Sequence, residues 1–156
     1  MNNRELGAKV RSAVYLQCRN RGFAAPVDVL MEIGYLSKQD CENWRYGRVD
    51  YLERVCKANL SKLSLVMREM RSYAVKAELK PSFCCYKRWG AKKKNSQGGK
   101  PGALLRFSKS GSPEIERQYA THFVDLKRTA QLKTERAAKT ERQPDTSPVE
   151  AEASTS

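Results

Sequence analysis

The stretch Tyr86-Lys87-Arg88-Trp89-Gly90-Ala91-Lys92-Lys93-Lys94 and the residues after its Gly-rich bend, Leu104-Leu105-Arg106-Phe107-Ser108-Lys109, interleave cations and aromatic rings with no acid among them. Lysine and arginine suit a row of phosphates, and flat rings suit bases, so the chemistry on offer is recognition of a polyanion such as DNA or RNA. The residues assigned to it are Lys87, Arg88, Trp89, Lys92, Lys93, Lys94, Lys100, Arg106 and Lys109. Lys92, Lys93, Lys94 and Lys100 go to phosphates, and Lys87, Arg88, Arg106 and Lys109 to the flank of the same groove. Trp89, Tyr86 or Phe107 is left to stack, at about 1–3 kcal/mol for each base. The competing use of the same residues is a solvated loop whose rings anchor its ends in the core, and Trp89 suits that anchoring role better than the role of a base platform.

A second constellation is Arg117-Gln118-Tyr119-Ala120-Thr121-His122, which contains the one histidine of the chain. His122 could exchange a proton with a ribose 2′-hydroxyl or a leaving oxygen while Arg117 holds the phosphate. These six residues resemble the R-x4-6-H signature of HEPN ribonucleases, and the resemblance implies an all-helical, dimeric enzyme with Arg117 and His122 as its catalytic pair. Gln118 stands where those enzymes commonly carry Asn or Asp, and on one continuous helix the two side chains would lie about 140° apart. No G-x-x-x-x-G-K-[ST], G-x-S-x-G or H-E-x-x-H occurs, and Pro101 stands where a phosphate-binding helix would have to begin, so no cofactor is expected. The five cysteines, Cys18, Cys41, Cys56, Cys84 and Cys85, show no C-x-x-C spacing, which predicts reduced thiols and no zinc site.

The formal charge of the 156 residues is +13, and it is unevenly spread. Residues 76–109 hold ten Lys/Arg against one acid, Glu78, whereas residues 110–156 hold seven against eight. Solubility needs no such concentration, so the local excess calls for a local cause.

Residues 4–21 carry Leu6, Val10, Ala13, Val14 and Cys18 at helical spacing and stop at Gly22. Pro26 opens a short helix closed by Gly34, and Ser37, with Asp40 three residues on, caps a third that holds Trp44 and stops at Gly47. Residues 49–79 lack Gly and Pro and carry an apolar stripe of Leu60, Leu63, Met67, Met70, Ala74 and Ala77, with Asn59 and Ser61 able to divide the run. Core packing is the expected use of the stripe, and a homodimer seam is its alternative. Residues 83–89 suit a short helix, while residues 103–108 suit a short strand that could form a hairpin with residues 83–86. Ser112-Pro113-Glu114 starts a helix expected to carry Ile115, Tyr119, Phe123 and Leu126 on one side. Beyond it Lys133-Thr134-Glu135-Arg136 recurs as Lys139-Thr140-Glu141-Arg142, and from Gln143 the composition is that of a disordered segment.

The fold expected is mainly α: a single small helical domain over residues 1–126, including the basic loop 87–109, with a minor two-stranded element. Residues 127–156 form a low-complexity, charged and disordered tail. The function expected is non-catalytic binding of nucleic acid, DNA or RNA, mainly through the phosphate backbone, in a cytoplasmic protein with no membrane partner. A module binding an acidic protein is the alternative, and a HEPN-like ribonuclease using Arg117 and His122 is the third reading. The short helices around Gly34 and Gly47 also suggest a helix-turn-helix with Arg45, Arg48 and Arg54 facing a groove, although polar residues then fall where that motif buries apolar ones.

Overall fold

In the computed structural model, which describes residues 2–90 and 103–142, helices begin where the capping chemistry puts them. Asn2 accepts the Glu5 amide at 2.8 Å while the Glu5 carboxylate takes the Asn2 amide at 3.1 Å, and α1 runs from there as Asn3–Arg21. Pro26 opens α2, Pro26–Glu32, and Ser37 takes the Asp40 amide to start α3, Lys38–Arg45. Asn59 accepts the Lys62 amide at 2.9 Å and so divides the long Gly- and Pro-free run. Before it stands a single 3₁₀ turn, Leu52–Val55, and after it α4, Leu60–Lys76. The last two helices are α5, Pro113–Ala120, and α6, Leu126–Arg142, which carries both copies of the charged repeat.

Helices α1 and α4 form the main packing pair. Leu6, Val10 and Val14 from α1 and Val66 and Met70 from α4 are at most 1% exposed, each contributing about 1.5–3 kcal/mol by leaving water. The stripe therefore serves the chain's own core, with Leu63, Met67, Met70 and Ala74 buried and only its end residues, Leu60 and Ala77, exposed.

Three short strands, β1 (Phe23–Ala24), β2 (Lys80–Phe83) and β3 (Thr121–Val124), make an antiparallel sheet in the order β1-β3-β2. Ala24 and Pro81 both face Phe123, and Ser82 faces His122. This corrects the expected course of the fifth helix, which ends at Ala120 and does not carry Phe123. The Thr121 hydroxyl donates to the Arg117 carbonyl at 2.7 Å, and Thr-His-Phe-Val then extends, as β-branched and aromatic residues do between two partner strands. Pro81 is tolerated because β2 lies at the edge of the sheet.

Residues 83–89 are extended rather than helical. The Leu105 amide donates to the Tyr86 carbonyl at 2.8 Å and the Arg88 amide to the Ala103 carbonyl at 2.9 Å, with Lys87 bridging Leu104. The minor two-stranded element thus pairs residues 86–88 with 103–105.

Beneath this pair lies an aromatic core. Trp44 is fully buried, its indole N–H donates to the Arg106 carbonyl at 2.8 Å, and its ring packs on Tyr86 and Phe107 at centroid separations of 5.6 and 5.2 Å. Glu116 fixes the neighbouring turn: its carboxylate accepts the amides of Phe107 and Ser108, the latter at 2.7 Å, and the Ser108 hydroxyl at 2.6 Å. Glu53 acts alike, taking the Lys109 amide at 3.0 Å on one oxygen and the Tyr119 hydroxyl at 2.8 Å on the other. Replacing Glu116 by Gln puts an amide group against three donors, so urea unfolding should register a loss of about 1.5–3 kcal/mol, the worth of hydrogen bonds to a charged group.

Candidate nucleic-acid interface

Two turns of similar sequence meet at the surface, Trp44-Arg45-Tyr46-Gly47-Arg48 at the end of α3 and Tyr86-Lys87-Arg88-Trp89-Gly90 on the paired segment. The Trp89 amide donates to the Arg45 carbonyl at 2.7 Å. Both glycines have positive φ, 78° at Gly47 and 72° at Gly90, and a Cβ on Gly47 would lie 2.5 Å from Arg88 Cδ. Glycine at position 47 is what lets the two turns approach.

The contact builds a strip of alternating cations and rings. The Arg48 guanidinium lies 4.9 Å from the Tyr46 centroid, and Tyr46 meets Trp89 edge to face at 5.6 Å. Arg45 is shared between Trp89 at 4.5 Å and Tyr86 at 5.0 Å. Tyr86 meets His122 both as a ring and through a 2.8 Å hydrogen bond between its hydroxyl and Nε2. His122 stacks on Phe23 at 5.5 Å, and Arg21 closes the strip 4.1 Å from the Phe23 centroid. The Arg45 Nε is buried with no hydrogen-bond partner, so ring faces hold this cation in place of acceptors.

Exposure grades along the strip. Trp89 and Tyr46 are 44% and 42% exposed, whereas Tyr86, His122 and Phe23 are half-buried. Burial raises the Tyr86 hydroxyl well above the ordinary tyrosine range and lowers His122 below its ordinary 6.5, Asp28 opposing the latter shift. Asp28 itself is bound to Arg21 at 2.6 Å. Among the described residues Arg45, Arg48 and Lys87 take part in no ion pair.

The residues expected to bind divide between two roles. Lys87 and Trp89 point outward, and Arg88 lies against Gly47. Arg106 closes a turn, donating to the carbonyls of Ser108 and Lys109 with its guanidinium 5.5 Å from the Tyr51 ring, and the Lys109 backbone is held by Glu53. Phe107, 4% exposed, belongs to the core and offers no face to a base. Trp89, read as an anchor, is instead half-exposed. Lys92, Lys93, Lys94 and Lys100 lie outside the described residues. Tyr46 joins the strip from outside the expected set, and its signal in the sequence is that Trp44-Arg45-Tyr46-Gly47-Arg48 shows the same interleaving as residues 86–90.

Arg117 and His122 are not brought together within the chain. Alternation along β3 sets His122 on the face occupied by Phe23 and Thr121 on the other, and Arg117 lines a cleft with Thr121 and Phe123. The helix-turn-helix considered with its turn at Gly47 is likewise not formed, because the element after Gly47 is one 3₁₀ turn. Burial pushes the thiols of Cys18 and Cys41 up to about 11 and Cys56 up to about 12, which leaves them poor nucleophiles at neutral pH. No group of three or more His, Cys, Asp or Glu that could hold a metal, and no helix long and apolar enough to cross a membrane, occurs among the described residues. Comparison of the chain with protein-family models, with curated proteins and with solved structures finds no match in any of the three.

His122 gives the strip a pH signature. Since folding lowers its pKa, the unfolded chain takes up the proton first, and stability that is whole above 6.5 is lost as the pH falls below that value. Thermal midpoints measured from about pH 7.5 down to about pH 5 should therefore decline more steeply in the wild type than in His122→Gln, which keeps an acceptor for Tyr86 and cannot titrate.

Proposed function

We propose that the protein binds nucleic acid, without catalysis, at the face formed by the end of α3 and residues 87–89. The observation that carries this reading is the pair of half-exposed rings, Tyr46 and Trp89, set among Arg45, Arg48 and Lys87, which have no carboxylate partners among the described residues. Exposed rings beside unneutralised cations meet both needs of a polynucleotide, charge for its phosphates and an apolar face for its bases. The sequence between Gly90 and Ala103 holds four further lysines, Lys92, Lys93, Lys94 and Lys100, and the residues flanking this insert, 86–88 and 103–105, are hydrogen-bonded together. Backbone contacts dominate such binding, so affinity is expected for DNA and RNA alike.

Binding of labelled DNA and RNA oligonucleotides across a salt series tests it. Neutralising about five phosphates gives a slope of log K against log salt near −3.5 on single strands and near −4.5 on duplex. Arg45→Gln combined with Arg48→Gln should flatten the single-strand slope by about 1.4, and replacing Lys92, Lys93 and Lys94 by Ala by about 2.1. Trp89→Ala should cost about 1–3 kcal/mol on single strands while leaving the slope unchanged. Weak, non-saturating binding by the wild type, together with a stable protein complex recovered from cells, would instead favour the acidic-partner alternative. Slopes that none of these variants alters would place the contact elsewhere.

A further inference from the structure

The face of β3 turned away from the strip closes a separate cleft. Helices α4 and α5 flank it and β2 and β3 contribute to it, leaving a volume of about 500 Å³, within the range of small-molecule sites. Its floor is apolar, with Met67, Met70 and Ala74 from α4 together with Leu79 and Phe123. Both helices present residues one and two turns apart to it: α4 gives Met67, Met70, Arg71 and Ala74, while α5 gives Glu114, Arg117 and Gln118, followed by Thr121. The cleft thus has an oily floor with one arginine on each helix.

Neither arginine is neutralised. Among the described residues no carboxylate lies within ion-pair distance of Arg71 or Arg117, and the Arg117 guanidinium rests 5.9 Å from the ring of Phe83, itself 62% exposed. Glu114 also lines the cleft, so its charged groups sum to one net positive charge. An apolar ligand alone would leave two arginines facing it without a counter-charge, and a simple inorganic anion would leave the floor wet. We propose that this cleft binds a free apolar carboxylic acid, of which a medium-chain fatty acid is the simplest case, with the chain over Met67, Met70 and Phe123 and the carboxylate between Arg71 and Arg117. Arginine forks match a carboxylate in shape and charge, and this assignment gives Arg117 a partner independent of His122.

The test uses the full chain and the fluorescent apolar anion anilinonaphthalenesulfonate. Saturable binding of one probe per chain is expected, displaced by dodecanoate below its micellar concentration and at least about tenfold less effectively by dodecanol. Arg71→Gln with Arg117→Gln, both at exposed positions, should weaken dodecanoate about tenfold while leaving dodecanol unchanged. Glu114→Gln should shift dodecanoate the other way, tightening it a few-fold. Arg45→Gln with Arg48→Gln should leave all of this unaltered, because those residues belong to the opposite face. Non-saturating probe fluorescence, equal displacement by acid and alcohol, an unchanged Arg71/Arg117 variant, or loss of the probe in the Arg45/Arg48 variant would each overturn the site.

Discussion

One buried indole holds together the half of the molecule that carries the strip of rings and cations. Trp44 reaches from α3 to the carbonyl of Arg106 and packs against both Tyr86 and Phe107, so both arms of the basic insert are packed on a single side chain. A ring of that size removed from water stabilises by several kcal/mol, and its N–H must be paired when buried, which fixes position as well as proximity. Everything on the surface above it inherits that fixity. Tyr46 and Trp89 face each other only because the end of α3 and residues 86–90 share this anchor, and the hydrogen bond from Trp89 to the Arg45 carbonyl then sets their spacing. Glu53 and Glu116 complete the arrangement from below, and they do so by spending their charge on backbone amides rather than on the lysines and arginines nearby.

The helices were legible because their signals are local. Asn59 and Ser37 each cap by a bond to an amide three residues away, Pro26 and Pro113 supply the fixed φ of a first turn, and Gly22 ends α1 in the left-handed region. The sheet was not legible, because its signals are distant. Ile115, Tyr119, Phe123 and Leu126 keep helical spacing, and nothing within that window reveals that residues 121–124 have partners at 23–24 and 80–83. Pairing with two strands outweighed a spacing that any amphipathic stretch can show by chance. Pro81 added to the concealment, since a proline argues against a strand except at an edge, and only the assembled sheet defines which strand is the edge.

The candidate site was legible in kind and only partly in membership. Residues 86–89 stood out by interleaving cations with rings, and Lys87 and Trp89 do lie outward. Arg106, Lys109 and Phe107 share that composition and are put to other uses, because charge and aromaticity do not reveal whether a guanidinium meets solvent or a carbonyl. Arg45, Tyr46 and Arg48 arrive from about forty positions away, joined by an approach that Gly47 permits. The Arg117 and His122 spacing illustrates the converse: two residues close in sequence fall on different elements, Arg117 on α5 beside the cleft and His122 on β3 stacked on Phe23, because the helix ends at Ala120.

The paired feet of the insert, residues 86–88 against 103–105, also bear on how such a surface could change over time. Because the ladder closes the segment at its base, the loop-closure cost of lengthening the intervening stretch is only about 0.6 kcal/mol for each doubling. A change in the number of residues between Gly90 and Ala103 therefore carries a small entropic cost, so the length of this stretch can vary while the pairing of residues 86–88 with 103–105 is kept.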